Sequence, residues 1–115
     1  MYKSFSDMVV WQNAMTVSEE VFKMTISLPK SEDYGLTSQI RRAANSVSAN
    51  IAEAFGRKTK KDKSMFYVYA RGSAFETQSH LVYGNKVGYF LNINEPVEQY
   101  SKIIHDLNKI IKALS

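Results

Sequence analysis

Residues Tyr34 to Arg57 read YGLTSQIRRAANSVSANIAEAFGR, and their patterning decides the fold. The stretch opens on a Tyr-Gly turn, continues without a breaker, and stops at Gly56 ahead of a run of lysines. Leu36, Ile40, Ala43, Val47, Ile51 and Ala54 recur three or four positions apart, the signature of one helical face. Beside them lie Ala44, Ser48, Ala49, Ala52 and Phe55, small enough for the most part to admit a neighbouring helix closely. The opposite side is polar, with Gln39, Arg42, Ser46, Asn50, Glu53 and Arg57. Such a helix is the central packing element of an α-bundle.

The flanking segments carry the same period. Upstream, Val10, Ala14, Val17, Val21, Met24 and Leu28 form a stripe, with Trp11, Met15, Ser18, Phe22 and Thr25 beside it. Ser6 is the expected cap of this first helix, with Phe5 stapling onto Val10, and Pro29 ends it. Downstream, Thr59 to Asp62 has a capping-box pattern, so a break is expected between about Gly56 and Lys60. The third helix then runs from near Asp62 to near Lys86, with Phe66, Ala70, Ala74, Thr77, Leu81 and Gly84 on one stripe and Val68, Phe75 and Val82 on another. Gly72 costs such a helix roughly 1 kcal/mol relative to Ala, which fits either a second backbone close by or a tolerated accident. Asn94 is read as the cap of a fourth helix, whose Val97, Tyr100, Ile104, Leu107, Ile111 and Leu114 make a heptad seam.

No segment alternates with period two. The expected fold is therefore all-α, one domain over residues 1–115, an up-down-up-down four-helix bundle. Its apolar faces exceed what one such bundle needs. The extra Trp11, Phe22, Tyr67, Tyr69 and Tyr83 fit either self-association or aromatics left half-exposed with their polar tips in water.

Charge is concentrated. The formal net charge is +4, and Arg57, Lys58, Lys60, Lys61 and Lys63 set five cations against Asp62 alone, leaving ten cations and ten anions elsewhere. The chain has no cysteine, so disulfides, thiolate chemistry and Cys-bound zinc are excluded. The first residues lack a signal-peptide pattern and no apolar run approaches the about 18 residues of a membrane span, which predicts a cytoplasmic protein without a membrane partner.

Catalytic equipment is sparse. Serines 46, 48 and 73 sit in helical runs rather than in a nucleophile elbow, and no glycine-rich phosphate loop occurs. Of the two histidines, only His80 has a carboxylate at helical spacing, Glu76, with Glu53 as one further candidate. That is short of the several ligands a bundle metal site requires, so no metal or cofactor is expected and no catalysis. Gln39, Asn50, Glu53, Ser73 and Glu76 are read as a structural polar network between helices or subunits, with Arg42 and Arg71 beside it. Arg41, Arg42, Arg57, Lys58, Lys60, Lys61, Lys63 and Arg71 are the candidates for contact with the phosphates of RNA or DNA.

Several stretches resemble a known family. They are Asp7-x-x-Val10-Trp11-Gln12-x-Ala14, Leu28-Pro29-x-x-Glu32-x-Tyr34-Gly35-Leu36-Thr37-Ser38-Gln39-Ile40-Arg41-Arg42-Ala43-Ala44-x-Ser46-Val47, Asn50-Ile51-Ala52-Glu53-Ala54-x-Gly56-Arg57 and Ala70-Arg71-Gly72-Ser73-Ala74-x-Glu76. In order, they look like the 23S rRNA-intervening-sequence protein family, which is similar to the accessory variability determinants of diversity-generating retroelements. Ala54 stands where that family often has glycine, a change that favours helix. The resemblance implies a small four-helix bundle with a ribosomal-protein-like label and a homopentamer. It also implies nucleic acid or a protein such as a reverse transcriptase as partner. The alternative it leaves open is a purely structural protein–protein scaffold.

Overall fold

Four helices follow one another in the computed structural model, which describes residues 1–115: α1 (Val9–Thr25), α2 (Leu36–Gly56), α3 (Lys60–Lys86) and α4 (Asn94–Leu114). Helix α2 packs against α1 and α3, and α4 packs against α3 and α1, while the backbones of the diagonal pairs stay more than 8 Å apart between Cα atoms. That is the up-down-up-down bundle, an elongated body of 43 × 23 × 20 Å. None of its helices is long and apolar enough to cross a membrane. The α1 and α3 N-termini and the α2 and α4 C-termini share one end, here called the base.

The stripe of α2 is buried along its whole length: Ile40, Ala43, Val47, Ile51 and Ala54 are fully enclosed. Ile40, Val47, Ile51 and Ala54 join Val17 and Val21 of α1, Ala70, Ala74 and Leu81 of α3, and Tyr100, Ile103 and Leu107 of α4 in one continuous core. The two alanines of α3 let the α2 and α3 backbones approach closely, and this pair forms the largest helix–helix contact.

Helix boundaries follow local chemistry, with corrections at two starts. Ser4, not Ser6, caps a short 3-10 turn over Phe5–Asp7, in a capping box closed by Asp7. The Phe5 ring packs edge-on against Trp11, at 5.1 Å between centroids, so the staple forms with Trp11 rather than Val10. Helix α4 begins after Ile93, and its cap contact comes from Asn92, whose Oδ1 accepts from the Asn94 N–H at 3.1 Å. At the start of α3, Thr59 does cap, accepting from the Asp62 N–H at 3.1 Å. The end of α3 is a Schellman motif: the Gly88 N–H donates to the Asn85 carbonyl and the Tyr89 N–H to the Gly84 carbonyl, with Gly88 left-handed at φ 89°.

Two other sequence expectations change. Tyr67 belongs to the core rather than to a spare surface, being 5% exposed with its hydroxyl on Met8. Gly72 faces solvent, and nothing lies within 4 Å of where its Cβ would be. The glycine that does permit close approach is Gly84, where a Cβ would overlap the ring of Phe90 folding back from the α3–α4 connection.

Candidate nucleic-acid interface

The eight candidate cations do not form one surface. Arg41 and Arg42 lie in the first half of α2, about 22 Å along the helix from Arg57. Arg41 Nε donates to the Thr25 hydroxyl at 2.8 Å, and its guanidinium stacks 4.3 Å from the centroid of the Phe22 ring. Arg42 pairs with Glu76 of α3 and also reaches Gln39 Oε1 at 3.3 Å. Arg71 points the other way, donating to Asn108 Oδ1 of α4 at 2.7 Å. These three arginines tie helices together.

The base carries the remaining five. Arg57 pairs with Glu53 at 3.1 Å and stacks 4.4 Å from the centroid of the Phe66 ring. Lys63 turns inward and donates to the carbonyls of Ala54 and Phe55 at 3.2 and 2.9 Å, neutralising the negative end of α2. Lys58, Lys60 and Lys61 are exposed, and their side chains make no hydrogen bond or ion pair within the chain. They flank the first turn of α3, whose own N–H groups add positive potential. Lys60 and Lys61 also border a shallow cleft shared with Met65, Val68 and Leu114, which brings the end of α4 beside them. Lys109 of α4 lines a second cleft at this end, together with Phe55 and Tyr67. Its heptad phase is visible in the sequence, but its proximity to the Arg57–Lys63 segment depends on the antiparallel packing of α4.

The polar residues separate into smaller groups. Glu76 Oε2 is shared by Arg42 and by His80 Nε2, the latter at 3.2 Å. Ser46 receives Asn50 Nδ2 at 3.0 Å and Ser73 Oγ at 3.1 Å, linking α2 to α3. Glu53 stays on its own helix with Arg57 and does not join Glu76 and His80. No third His, Cys, Asp or Glu completes a metal-binding group.

One face was read only in part from the sequence. Met65, Val68, Tyr69, Phe75, Val82 and Tyr83 are all substantially exposed along the outer side of α3, with Gly72 among them. The spacing of Val68, Phe75 and Val82 marked them as a second stripe, but only the packing shows that it faces outward. Helix α3 is thus apolar on both sides.

Comparison with known proteins places the chain. No curated protein matches it in sequence. A crystal structure of a protein with unknown function from the S23 ribosomal protein family of Bacteroides thetaiotaomicron VPI-5482 is similar to it, with a TM-score of 0.64 and 25% identity over 92% of this chain and 94% of that one. The model of the 23S rRNA-intervening sequence protein family matches residues 6–115, nearly the whole chain. Four antiparallel helices, the Tyr34–Arg57 packing helix and this match agree, and the chain belongs to the 23S rRNA-intervening sequence protein family.

Proposed function

We propose that this protein is a non-catalytic, oligomeric, cytoplasmic binding protein that contacts RNA or DNA through the base of its bundle. The observation that carries this reading is the state of Lys58, Lys60 and Lys61. They are exposed, unpaired and beside a helix N-terminus, within the segment that holds the whole excess charge. Cations committed to internal pairs are held back from phosphates; these three are free to release counterions on binding. Three lysines give only weak, salt-sensitive affinity to one copy, and a homopentamer, which the family resemblance implies, multiplies the patch.

Self-association is supported by the outer face of α3. A monomer rarely leaves an apolar stripe of this length in water, and Gly72 removes a side chain where the free chain needs no room. The same stripe favours the second reading, a scaffold whose partner is a different protein, such as a reverse transcriptase.

Mobility-shift titration with labelled single-stranded RNA and duplex DNA tests the first reading. Binding is expected to weaken steeply with salt and to be lost when Lys58, Lys60 and Lys61 are all replaced by Gln, with the helical spectrum unchanged. No shift for any nucleic acid at low salt sinks it. For assembly, a sedimentation mass near the 13.1 kDa of one chain at micromolar concentration overturns the oligomer.

A further inference from the structure

We propose that the second cleft at the base is a binding site for a small aromatic carboxylate. The cleft measures about 450 Å³, within the range of small-molecule sites, and seven of its nine lining residues are hydrophobic. It forms where the four helices come together unevenly. Met8 and Val9 lead into α1, Phe55 closes α2, Tyr67 comes from the second turn of α3, and Ile110 from the last turns of α4.

Tyr67 makes the cleft more than a gap. Its side chain is 5% exposed, and the one partner of its hydroxyl is the Met8 sulfur at 3.9 Å. A thioether is a weak acceptor, so the hydroxyl is buried without a strong partner. Burial, with Tyr2 nearby, pushes the Tyr67 pKa upward, which keeps the proton on oxygen as a donor. A ligand oxygen offers this donor a better acceptor than sulfur does. The rings of Phe55, Tyr67 and Tyr2 among the lining residues suit a flat apolar body, for which edge and offset contacts are available.

Charge selects the sign of the polar group. The rim has one cation, Lys109, and one anion, Asp106, so the rim by itself is balanced. The surroundings are not. Lys63 Nζ lies 5.8 Å from the Phe55 ring centroid, and the Arg57–Lys63 segment contributes its excess of four positive charges at the same end. An anion is favoured there and a cation is not. A carboxylate reaching between Lys109 and the Tyr67 hydroxyl, with its ring against Phe55 and Ile110, satisfies all of these groups together. Lys58, Lys60 and Lys61 add to the positive field at this end but do not line the cleft, so their replacement by Gln should abolish nucleic-acid binding and only weaken carboxylate binding, which keeps the two readings distinguishable.

Titration calorimetry of the full chain with 2-naphthoate tests the site, using 2-naphthylmethanol and 2-naphthylmethylammonium as neutral and cationic counterparts. The expected result is one naphthoate per chain, with at least tenfold weaker binding of both counterparts. Tyr67→Phe should weaken naphthoate about tenfold and Lys109→Gln about threefold. Val9→Trp should fill the cleft and abolish binding, and because Val9 is 58% exposed this change spares the core. Absence of heat at millimolar naphthoate overturns the proposal. So does equal affinity for the neutral alcohol, or binding indifferent to both Val9→Trp and Tyr67→Phe while the variants keep their helical spectra.

Discussion

The Tyr89 hydroxyl donates to Glu32 Oε2 at 2.9 Å, joining the α3–α4 connection to the α1–α2 connection across 57 residues of sequence. The other oxygen, Glu32 Oε1, accepts from the Leu36 N–H at 3.0 Å and so caps α2 from four residues upstream. One carboxylate thereby fastens both connections at the end of the bundle opposite the lysines. Gly35 makes room for it, since a Cβ there would come within 2.6 Å of Glu32 Oε1.

This geometry contributes to the acid limb of the stability curve. The Leu36 N–H first, and then the Tyr89 hydroxyl, hold the Glu32 pKa below its ordinary 4.5. A carboxyl depressed in the folded state stabilises above its unfolded value, and that contribution is lost as pH falls through the folded one. Thermal melts between pH 7 and pH 3 should show the decline setting in below about 4.5. Glu32→Gln should flatten it. Glu32→Ala and Tyr89→Phe should each lower the melting temperature, and together by less than the sum, because they break a shared contact.

Tyr100 governs the alkaline limb. Its ring is fully buried at the centre of the core, and its hydroxyl makes no hydrogen bond of normal geometry. Burial pushes its pKa far above the usual phenol range; the neighbouring Thr77 hydroxyl, already donating to the Ser73 carbonyl at 2.8 Å, opposes this only in part. The pKa values of Tyr67 and Tyr89 are raised as well. For groups raised in the folded state, the contribution is complete below the ordinary value of 10.0 and disappears as pH climbs through the raised values. Melting temperature should therefore drop above about pH 10, and less steeply in Tyr100→Phe. At pH 7 that substitution should be neutral or stabilising by up to about 1 kcal/mol, since it removes a buried hydroxyl that lacks a full partner.

Three glycines should respond differently to alanine. Gly88→Ala forces a side chain into the left-handed cap of α3 and should cost about 1 kcal/mol. Gly84→Ala drives a methyl into the Phe90 ring and should cost about 1–3 kcal/mol by denaturant titration. Gly72→Ala meets nothing in the isolated chain and should stabilise it by up to about 1 kcal/mol. If the outer face of α3 is an interface between copies, the same Gly72→Ala should shift sedimentation toward smaller species.

Lysines in the basic segment should divide by role. Lys63→Ala removes the donor to the Ala54 and Phe55 carbonyls and should cost about 0.5–1 kcal/mol through the end of α2. Lys58→Ala, with no partner to lose, should stay within about 0.5 kcal/mol of the parent. Equal effects on stability would contradict the assignment of Lys63 as a cap.

Patterning alone was enough for the four helices, the break after Gly56, the Thr59 cap and the buried stripe from Leu36 to Ala54. Each of these is local: period, capping and chain breakers act within a few residues, so they are written where they operate. What faces what could not be written that way. Whether Arg42 meets Glu76, whether Arg71 turns to Asn108, and whether Lys63 serves as a cap or as a free cation are set by how helices distant in sequence align. Gly72 and Gly84 are indistinguishable as letters in one helix; only packing puts Phe90 against one and solvent against the other. Likewise Tyr67 and Tyr69 sit two positions apart, about 200° around α3, so one enters the core and the other stays outside. The sequence by itself determined the elements and the class of fold, because helix formation and burial of an apolar stripe depend on spacing. The tertiary structure decided which charges remain free and which face of α3 stays bare, because pairing and exposure depend on neighbours that only the assembled bundle supplies.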